Sequence, residues 1–189
     1  LNKNLSNKGV KNNVDFTNSV KEAITNNKDF HIIGLLSDGG VHSHSNHLYY
    51  ILDFLKEQKL KNIFIHVFTD GRDTSPNKGI NEVKKLEEYI EETNIQIATV
   101  SGRYYSMDRD SRWERIKLAY DAMVNGVGEL SSNLIESIQT SYDNSITDEF
   151  ISPVVHINNK GTPYGIIKDG DILFSFNYRS DRIRQISRV

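Results

Sequence analysis

The sequence predicts an α/β fold in which a mostly parallel sheet is covered by helices. Short apolar runs of strand length alternate with longer segments whose apolar residues recur at helical spacing. This alternation repeats three times with short connections, which is typical of parallel strands joined by helical crossovers. The length of 189 residues is enough for one domain with a full hydrophobic core.

The first elements follow a polar amino-terminal stretch. Residues 1–13 are rich in Asn and Lys, and we expect them to be a lead-in or linker to a domain that spans residues 14–189. Asp15 or Thr17 is expected to cap the first helix. The apolar side of that helix comprises Val20, Ala23 and Ile24.

Three buried strands are predicted at apolar runs that end in turn-forming sequences. These runs are residues 30–36, 62–68 and 95–100. A helix is predicted after each run, with Ser45 as the first cap, a start near Asn77 for the second helix, and Asp110 as the third cap. The apolar stripes are Leu48, Ile51, Leu52 and Leu55, then Ile80, Val83, Leu86 and Ile90, then Trp113, Ile116, Tyr120 and Met123.

The segment around 126–170 has a less regular pattern, with clusters of Gly, Ser and Asn. It contains one strand candidate, residues 152–157, and its prolines, Pro153 and Pro163, indicate an edge strand or a cover over the sheet. Residues 171–182 are predicted to form a last strand that runs directly into a final helix.

The composition excludes several classes of function. The net charge of −2 provides no global positive field for nucleic acid or an acidic membrane, and basic and aromatic residues do not interleave as single-strand binders require. The chain has no Cys, which is compatible with a reducing compartment. No apolar run approaches the roughly 20 residues that span a bilayer. We therefore expect a cytoplasmic protein that binds neither nucleic acid nor membrane.

Each predicted strand ends in a loop rich in Gly and ionisable residues. Ligands of open α/β sheets bind beyond the carboxyl ends of the strands, so these loops should share one cleft. Arginine suits phosphate and carboxylate because its planar fork donates parallel hydrogen bonds. The residues expected in the cleft are His42, Arg72, Arg103, Arg109, Arg179 and Arg182, partly neutralised by Asp38, Asp73, Asp108 and Asp181. Surface salt bridges remain an alternative explanation for each arginine.

Asp73 is the candidate for proton transfer. The positive charge of the adjacent Arg72 favours the ionised carboxylate, which could accept a proton from a substrate hydroxyl group. The sequence after it, residues 74–76, leaves a turn or helix-capping role equally open.

A metal site is the alternative interpretation of the first loop. His42, His44 and the nearby Asp38 could serve a metal-dependent hydrolase. The segment offers no obvious further ligand at suitable spacing, since His47 is expected to lie on the following helix.

Several longer motifs lie along the chain, at residues 34–44, 70–73, 101–110, 112–115, 147–150 and 176–182. They resemble those of the cofactor-independent (2,3-bisphosphoglycerate-independent) phosphoglycerate mutases. They occur in the family's order and cover nearly the whole chain from about residue 14, which makes the resemblance specific.

The resemblance implies a two-domain enzyme of glycolysis and gluconeogenesis that interconverts 3-phosphoglycerate and 2-phosphoglycerate. One domain, similar to alkaline phosphatase, would hold two Mn²⁺ ions and a serine that is transiently phosphorylated. The other, inserted within it, would grip the glycerate. This chain resembles the inserted domain alone, so we expect it to bind no metal and to be inactive by itself.

The family motifs also imply roles for individual residues. Asp73 would be the general acid and base that acts on the glycerate hydroxyl groups, and Arg179 and Arg182 would meet the phosphoryl group between the domains. The implied substrate contacts are His42, Arg72, Asp73, Arg103, Arg109, Arg179 and Arg182. A non-catalytic module that only binds an anion remains the third hypothesis.

Overall fold

A computed structural model describes residues 7–189 and confirms the predicted fold class. The strands are β1 Phe30–Leu35, β2 Ile63–Thr69, β3 Ile95–Gly102, β4 Glu129–Ser131, β5 Val154–His156 and β6 Ile172–Ser175. They form one sheet in the order β4-β5-β3-β2-β1-β6. Only the β3–β5 pair is antiparallel, and the other neighbouring pairs are parallel. The first three strands coincide closely with the predicted apolar runs.

The strand predicted at residues 152–157 does not lie at an edge. β5 lies between β4 and β3, so the described edges are β4 and β6. Pro153 precedes β5, where its missing N–H breaks no ladder, and its carbonyl oxygen accepts a hydrogen bond from the Glu129 N–H at 3.0 Å. The proline therefore marks the start of an inner strand.

Seven α-helices lie within residues 7–189. They are α1 Asn7–Lys11, α2 Val14–Thr25, α3 Ser45–Lys56, α4 Gly79–Ile90, α5 Arg103–Ser106, α6 Trp113–Tyr120 and α7 Leu134–Asp143. A π-helical turn, Asp121–Asn125, extends α6, and 3₁₀ turns span Asp148–Phe150 and Ser180–Arg182. Helix α7 therefore lies within the segment that was expected to be irregular.

The predicted final helix is wrong. The chain after β6 stays extended because the Phe176 N–H bonds the carbonyl oxygen of Ile33 at 3.2 Å and the Tyr178 N–H bonds that of His42 at 2.9 Å. Only the short 3₁₀ turn at Ser180–Arg182 follows. Pairing with the β1 region thus continues beyond the strand itself.

The predicted caps of α2 and α3 are off by one or more residues. Asn13 caps α2 by accepting a hydrogen bond from a first-turn N–H at 3.0 Å, so Asp15 and Thr17 lie inside the helix. His44 caps α3 with its Nδ1 atom, and Ser45 is the first helical residue. Imidazole is an unusual cap, which explains why the pattern favoured the neighbouring serine.

Two helix starts depend on aspartates for which the sequence predicted no capping role. Before α6, the Asp108 carboxylate accepts from the N–H groups of Asp110 and Arg112 at 2.9 and 3.0 Å, so Asp110 is not the cap. At the start of α4, the Gly79 N–H donates to Asp148 at 2.7 Å. Asp148 is remote in sequence and therefore caps this helix from outside.

The sheet buries an apolar layer on each face. Helices α2, α3, α4 and α7 contribute to the larger core cluster on one face, and α6 contributes to the smaller cluster on the other. Ile24 and Trp113, both predicted on apolar stripes, are 37% and 46% exposed. They occupy the margins of their helices, where period alone does not decide burial.

The predicted lead-in is partly helical. Val10 on α1 is 4% exposed and belongs to the larger core cluster, so the residues just before position 14 pack against the domain. The expectation for residues 1–6 lies outside the described residues, and the domain boundary itself stays a prediction.

A row of buried polar side chains crosses four strand positions. His31 Nδ1 lies 3.0 Å from His66 Nε2, and His66 Nδ1 lies 3.0 Å from Thr99 Oγ1. The other nitrogen of His31 lies 3.4 Å from Asp171, just before β6. Burial lowers the pKa of both histidines, and that of His66 lies well below its ordinary value. Both imidazoles are therefore neutral at pH 7.

Candidate functional site

The carboxyl ends of four adjacent parallel strands bring the predicted loops to one edge of the sheet. The strands are β6, β1, β2 and β3, so the segments that follow them start side by side. Asp70 follows β2 directly, and Arg103 follows β3 as the first residue of α5. The Tyr178 N–H donates to the His42 carbonyl oxygen and so joins the adjacent loops that follow β1 and β6.

A cavity of about 280 Å³ opens at this edge. Arg72, Arg103, Arg109 and Arg182 line it, although they come from three different loops. The rest of the lining is Tyr104, Met107, Asp108, Asp110, Arg112, Arg115, Glu149 and Phe150. Six arginines face three carboxylates here, so the cavity is basic in a chain whose net charge is −2.

Arg182 shows the electrostatic effect of this convergence. Burial lowers the pKa of its guanidinium, and the positive charges of Arg109, Arg103 and Arg72 lower it further. Its Nη1 donates to the carbonyl oxygen of Met107 at 3.2 Å, and its buried Nε has no hydrogen-bond partner among the described residues. A bound anion would relieve this repulsion.

Carboxylates hold the other predicted arginines of the cavity. Arg72 lies 3.6 Å from Glu149, and Arg109 lies 3.4 Å from Asp181. Arg103 is only 5% exposed, and its Nη1 lies within 2.6 Å of two aspartates. The protein therefore fixes the Arg103 guanidinium, whereas Arg72 and Arg109 are more than half exposed and only loosely paired.

Asp73 lies beside the cavity and is not part of its lining. Its Oδ2 atom accepts from Arg103 Nη1 at 2.6 Å and lies 3.5 Å from His42 Nε2. The side chain is 20% exposed, so a ligand can reach it. A partly exposed carboxylate beside the cavity could exchange a proton with a hydroxyl group of a ligand.

His42 is buried between the loops after β1 and β6. Burial lowers its pKa, and the positive charges of Arg103 and Arg179 lower it further, although nearby carboxylates oppose this. The imidazole is therefore neutral at pH 7. Its Nδ1 atom is buried without a hydrogen-bond partner among the described residues, and its Nε2 atom faces Asp73.

Arg179 is the predicted arginine that does not line the cavity. Its Nη2 donates to Asp181 at 3.2 Å, and Asp181 also lies 3.4 Å from Arg109. One carboxylate thus joins Arg179 to a guanidinium of the cavity. The structure places Arg179 at the rim, about half exposed.

Several residues around the cavity have no role that was predicted from the sequence. Arg112 and Arg115 belong to a motif that was recognised only as a resemblance, and Arg115 stacks over Tyr104 with its guanidinium carbon 3.9 Å from the ring centroid. Glu149 lies on the 3₁₀ turn Asp148–Phe150, which no periodic pattern in the sequence predicts. Asp70 could have been noticed because it is the first residue after β2.

The three candidate metal ligands of the first loop have separate partners. Asp38 pairs with Lys78 at 2.5 Å, His42 approaches Asp73, and His44 caps α3. Residues 7–189 contain no group of three or more His, Cys, Asp or Glu side chains arranged to hold a metal ion. The arrangement does not favour the hydrolase hypothesis.

No helix within residues 7–189 has both the length and the apolar character needed to cross a membrane.

Comparisons with known proteins agree with the sequence motifs. A family model described as "BPG-independent PGAM N-terminus" matches residues 1–189. Curated proteins named 2,3-bisphosphoglycerate-independent phosphoglycerate mutase are also similar. The Flavobacterium johnsoniae protein is 48% identical over 164 residues, which are 87% of this chain and 32% of that protein. The Clostridium tetani protein is 48% identical over 178 residues, or 94% of this chain and 34% of that protein.

A solved structure extends the similarity to three dimensions. It belongs to a series titled "Crystal structures of Leishmania mexicana phosphoglycerate mutase at low cobalt concentration", and the match has a TM-score of 0.86 at 29% identity. The match covers 92% of this chain and 33% of the other. The chain thus spans about a third of the length of the relatives it matches.

Proposed function

The chain belongs to the family of 2,3-bisphosphoglycerate-independent phosphoglycerate mutases, and we propose that it is the substrate-binding domain of such an enzyme. The enzyme is an isomerase that interconverts 3-phosphoglycerate and 2-phosphoglycerate in glycolysis and gluconeogenesis. The convergence of Arg72, Arg103, Arg109 and Arg182 on one cavity supports this proposal most directly. Phosphoglycerate carries a carboxylate and a phosphate a few atoms apart, which several guanidinium groups can bind together.

Asp73 is the proposed general acid and base. It would remove a proton from one glycerate hydroxyl group and return a proton to the other as the phosphoryl group changes position. Its contact with Arg103 and its partial exposure support this role. His42 would hydrogen-bond the same ligand from the neighbouring loop.

The arginines of the last loop are proposed to meet the phosphoryl group. Arg182 has an unused buried donor, and Arg179 lies at the rim, where a second domain could present the group. Phosphoryl transfer depends on positioning and charge stabilisation, which arginines provide without forming covalent bonds.

The remaining chemistry is assigned to a phosphatase-like domain of the same polypeptide, with residues 14–189 as the substrate domain. The phosphatase-like domain would hold two Mn²⁺ ions, which neutralise phosphate charge when bound. It would also hold the serine that carries the phosphoryl group. The described residues do not fit a metal site, so no step here depends on a metal. The chain alone should show no mutase activity. A cytoplasmic location completes the proposal.

Calorimetric titration of the purified chain with 3-phosphoglycerate tests the proposal. We expect weak but saturable binding, and Arg182→Ala should reduce the affinity about 10- to 100-fold because it removes a charge-assisted contact of about 1.5–3 kcal/mol. Arg184→Ala is the matched control, since Arg184 is exposed and does not line the cavity. An equal loss in both variants, or no binding by the unsubstituted chain, would contradict the proposal.

A further inference from the structure

Asp70 is a buried carboxylate at the centre of the site, and no role has been assigned to it so far. It is 2% exposed and does not line the cavity. It directly follows β2, so its side chain lies between the loops that follow β1 and β3. A buried charge of this kind is costly unless hydrogen bonds satisfy it.

Four donors from three loops satisfy this carboxylate. Oδ1 accepts from the N–H groups of Arg72 and Asp73 at 3.2 and 3.0 Å and from Arg103 Nη1 at 2.5 Å. Oδ2 accepts from the Ser37 hydroxyl at 2.6 Å. Burial alone would raise the pKa of Asp70, but these donors outweigh it and lower the pKa. Asp70 is therefore ionised at neutral pH.

Asp70 contacts Asp73 by two independent routes. It accepts a hydrogen bond from the Asp73 backbone N–H, which holds the backbone from which that side chain extends. It also shares Arg103 Nη1 with the Asp73 carboxylate, which accepts from the same nitrogen at 2.6 Å. The Asp73 backbone is thus held by Asp70 directly, and the Asp73 carboxylate is held by Asp70 through Arg103.

We propose that Asp70 is a positioning residue that holds the Asp73 carboxylate against a hydroxyl group of the bound glycerate. The inference rests on the proposed function and deepens it. It names the residue through which the site recognises the hydroxyl group of the ligand in addition to its carboxylate and phosphate. Asp70 acts only through Asp73 and Arg103, because the cavity does not reach it.

The test compares two ligands that differ by one hydroxyl group. 3-Phosphoglycerate and 3-phosphooxypropanoate carry the same carboxylate and phosphate, but the second lacks the 2-hydroxyl group. Their Kd ratio, measured by calorimetry on the chain, isolates the hydroxyl contact. Partial unfolding of a variant lowers both apparent affinities equally and leaves the ratio unchanged, so a merely structural role would not alter it.

The unsubstituted chain should prefer 3-phosphoglycerate by about tenfold or more, as expected for a hydrogen bond to a charged group. Asp70→Asn keeps the shape of the side chain and should bring the ratio to within about twofold of one. Asp73→Asn should do the same, and the double variant should lose no more than either single variant, because both changes remove the same interaction.

A matched control separates positioning from stability. Asp171→Asn also removes a buried carboxylate that accepts backbone N–H bonds, but at the amino end of β6, away from the cavity. It should leave the ratio unchanged. If Asp70→Asn does not fold, Ser37→Ala decides the question. It leaves the three Oδ1 contacts of Asp70 in place, removes the Oδ2 contact together with the hydrogen bond from the Gly39 N–H to the Ser37 hydroxyl, and should lower the ratio about two- to threefold.

Each outcome has one meaning. A preference retained in Asp70→Asn, or in Ser37→Ala where that variant decides, overturns the positioning role. An unsubstituted chain that binds both ligands equally also overturns it, while the proposed anion-binding function stands. If the unsubstituted chain binds neither ligand, the proposed function itself fails.

Discussion

Acidification should destabilise this chain through its two buried histidines, and replacing one of them should weaken that effect. Burial lowers the pKa of His66 well below its ordinary value, with a smaller contribution from the neighbouring His31. Burial also lowers the pKa of His31, although Asp171 and Asp29 oppose it. In the unfolded chain both groups titrate near the usual value of about 6.5.

Because the pKa of both histidines is lowered in the folded chain, acidification decreases the stability of the fold. The unfolded state binds more protons than the folded state once the pH falls below about 6.5, so the stabilisation is complete above that pH and is lost as the pH falls. A histidine that stays neutral when folded contributes a slope of up to about 1.4 kcal/mol per pH unit. Between pH 7 and pH 5, His66 therefore accounts for up to about 1.9 kcal/mol of lost stability.

Urea unfolding followed by circular dichroism at pH 7 and pH 5 measures this loss. His66→Asn should be less stable than the unsubstituted chain at pH 7, because it disturbs the contacts with His31 and Thr99. It should nevertheless lose less stability on acidification, by up to about 1.9 kcal/mol. If both proteins lose the same amount, His66 does not stay neutral in the fold and the reasoning is refuted.

Two further substitutions test the framework around the cavity. Gly102→Ala would place a Cβ atom 2.7 Å from the Glu149 carbonyl carbon and 2.8 Å from the Ile151 nitrogen. We therefore expect the free energy of unfolding in urea to fall by about 1–3 kcal/mol and phosphoglycerate binding in calorimetry to weaken. Unchanged values would show that the 3₁₀ turn at Asp148–Phe150 can shift freely. Asp148→Ala removes the external cap of α4 and leaves the Gly79 N–H unsatisfied. The free energy of unfolding in urea should therefore fall by about 1–3 kcal/mol. A decrease below about 0.5 kcal/mol would mean that water replaces the carboxylate.

The parts of the fold that could be predicted from the sequence are governed by local pattern. The first three strands are continuous apolar runs, and the helical stripes of α3 and α4 are buried as predicted, from Leu48 to Leu55 and from Ile80 to Ile90. Parallel topology then followed from the alternation of strands and helices. The common edge of the loops required only that topology, which is why four arginines could be placed together before any coordinates.

The parts that were missed depend on contacts between remote residues. Asp148 caps a helix that begins 69 positions earlier, and no local signal connects an aspartate to a distant N–H group. His31 and His66 lie on neighbouring strands, but the sequence does not specify the register that brings their rings within hydrogen-bond distance. The antiparallel β5 follows an irregular connection, where neither period nor propensity selects a direction.

The oxygen partners of the cavity arginines have a consequence for the entropy of binding. A free arginine side chain carries about 2 kcal/mol of rotamer entropy, and a site built from loose arginines would lose much of it when a ligand orders them. Here two aspartates hold the buried Arg103, and the Met107 carbonyl oxygen restrains Arg182. For these two arginines, much of that disorder is therefore removed when the chain folds, before any metabolite arrives.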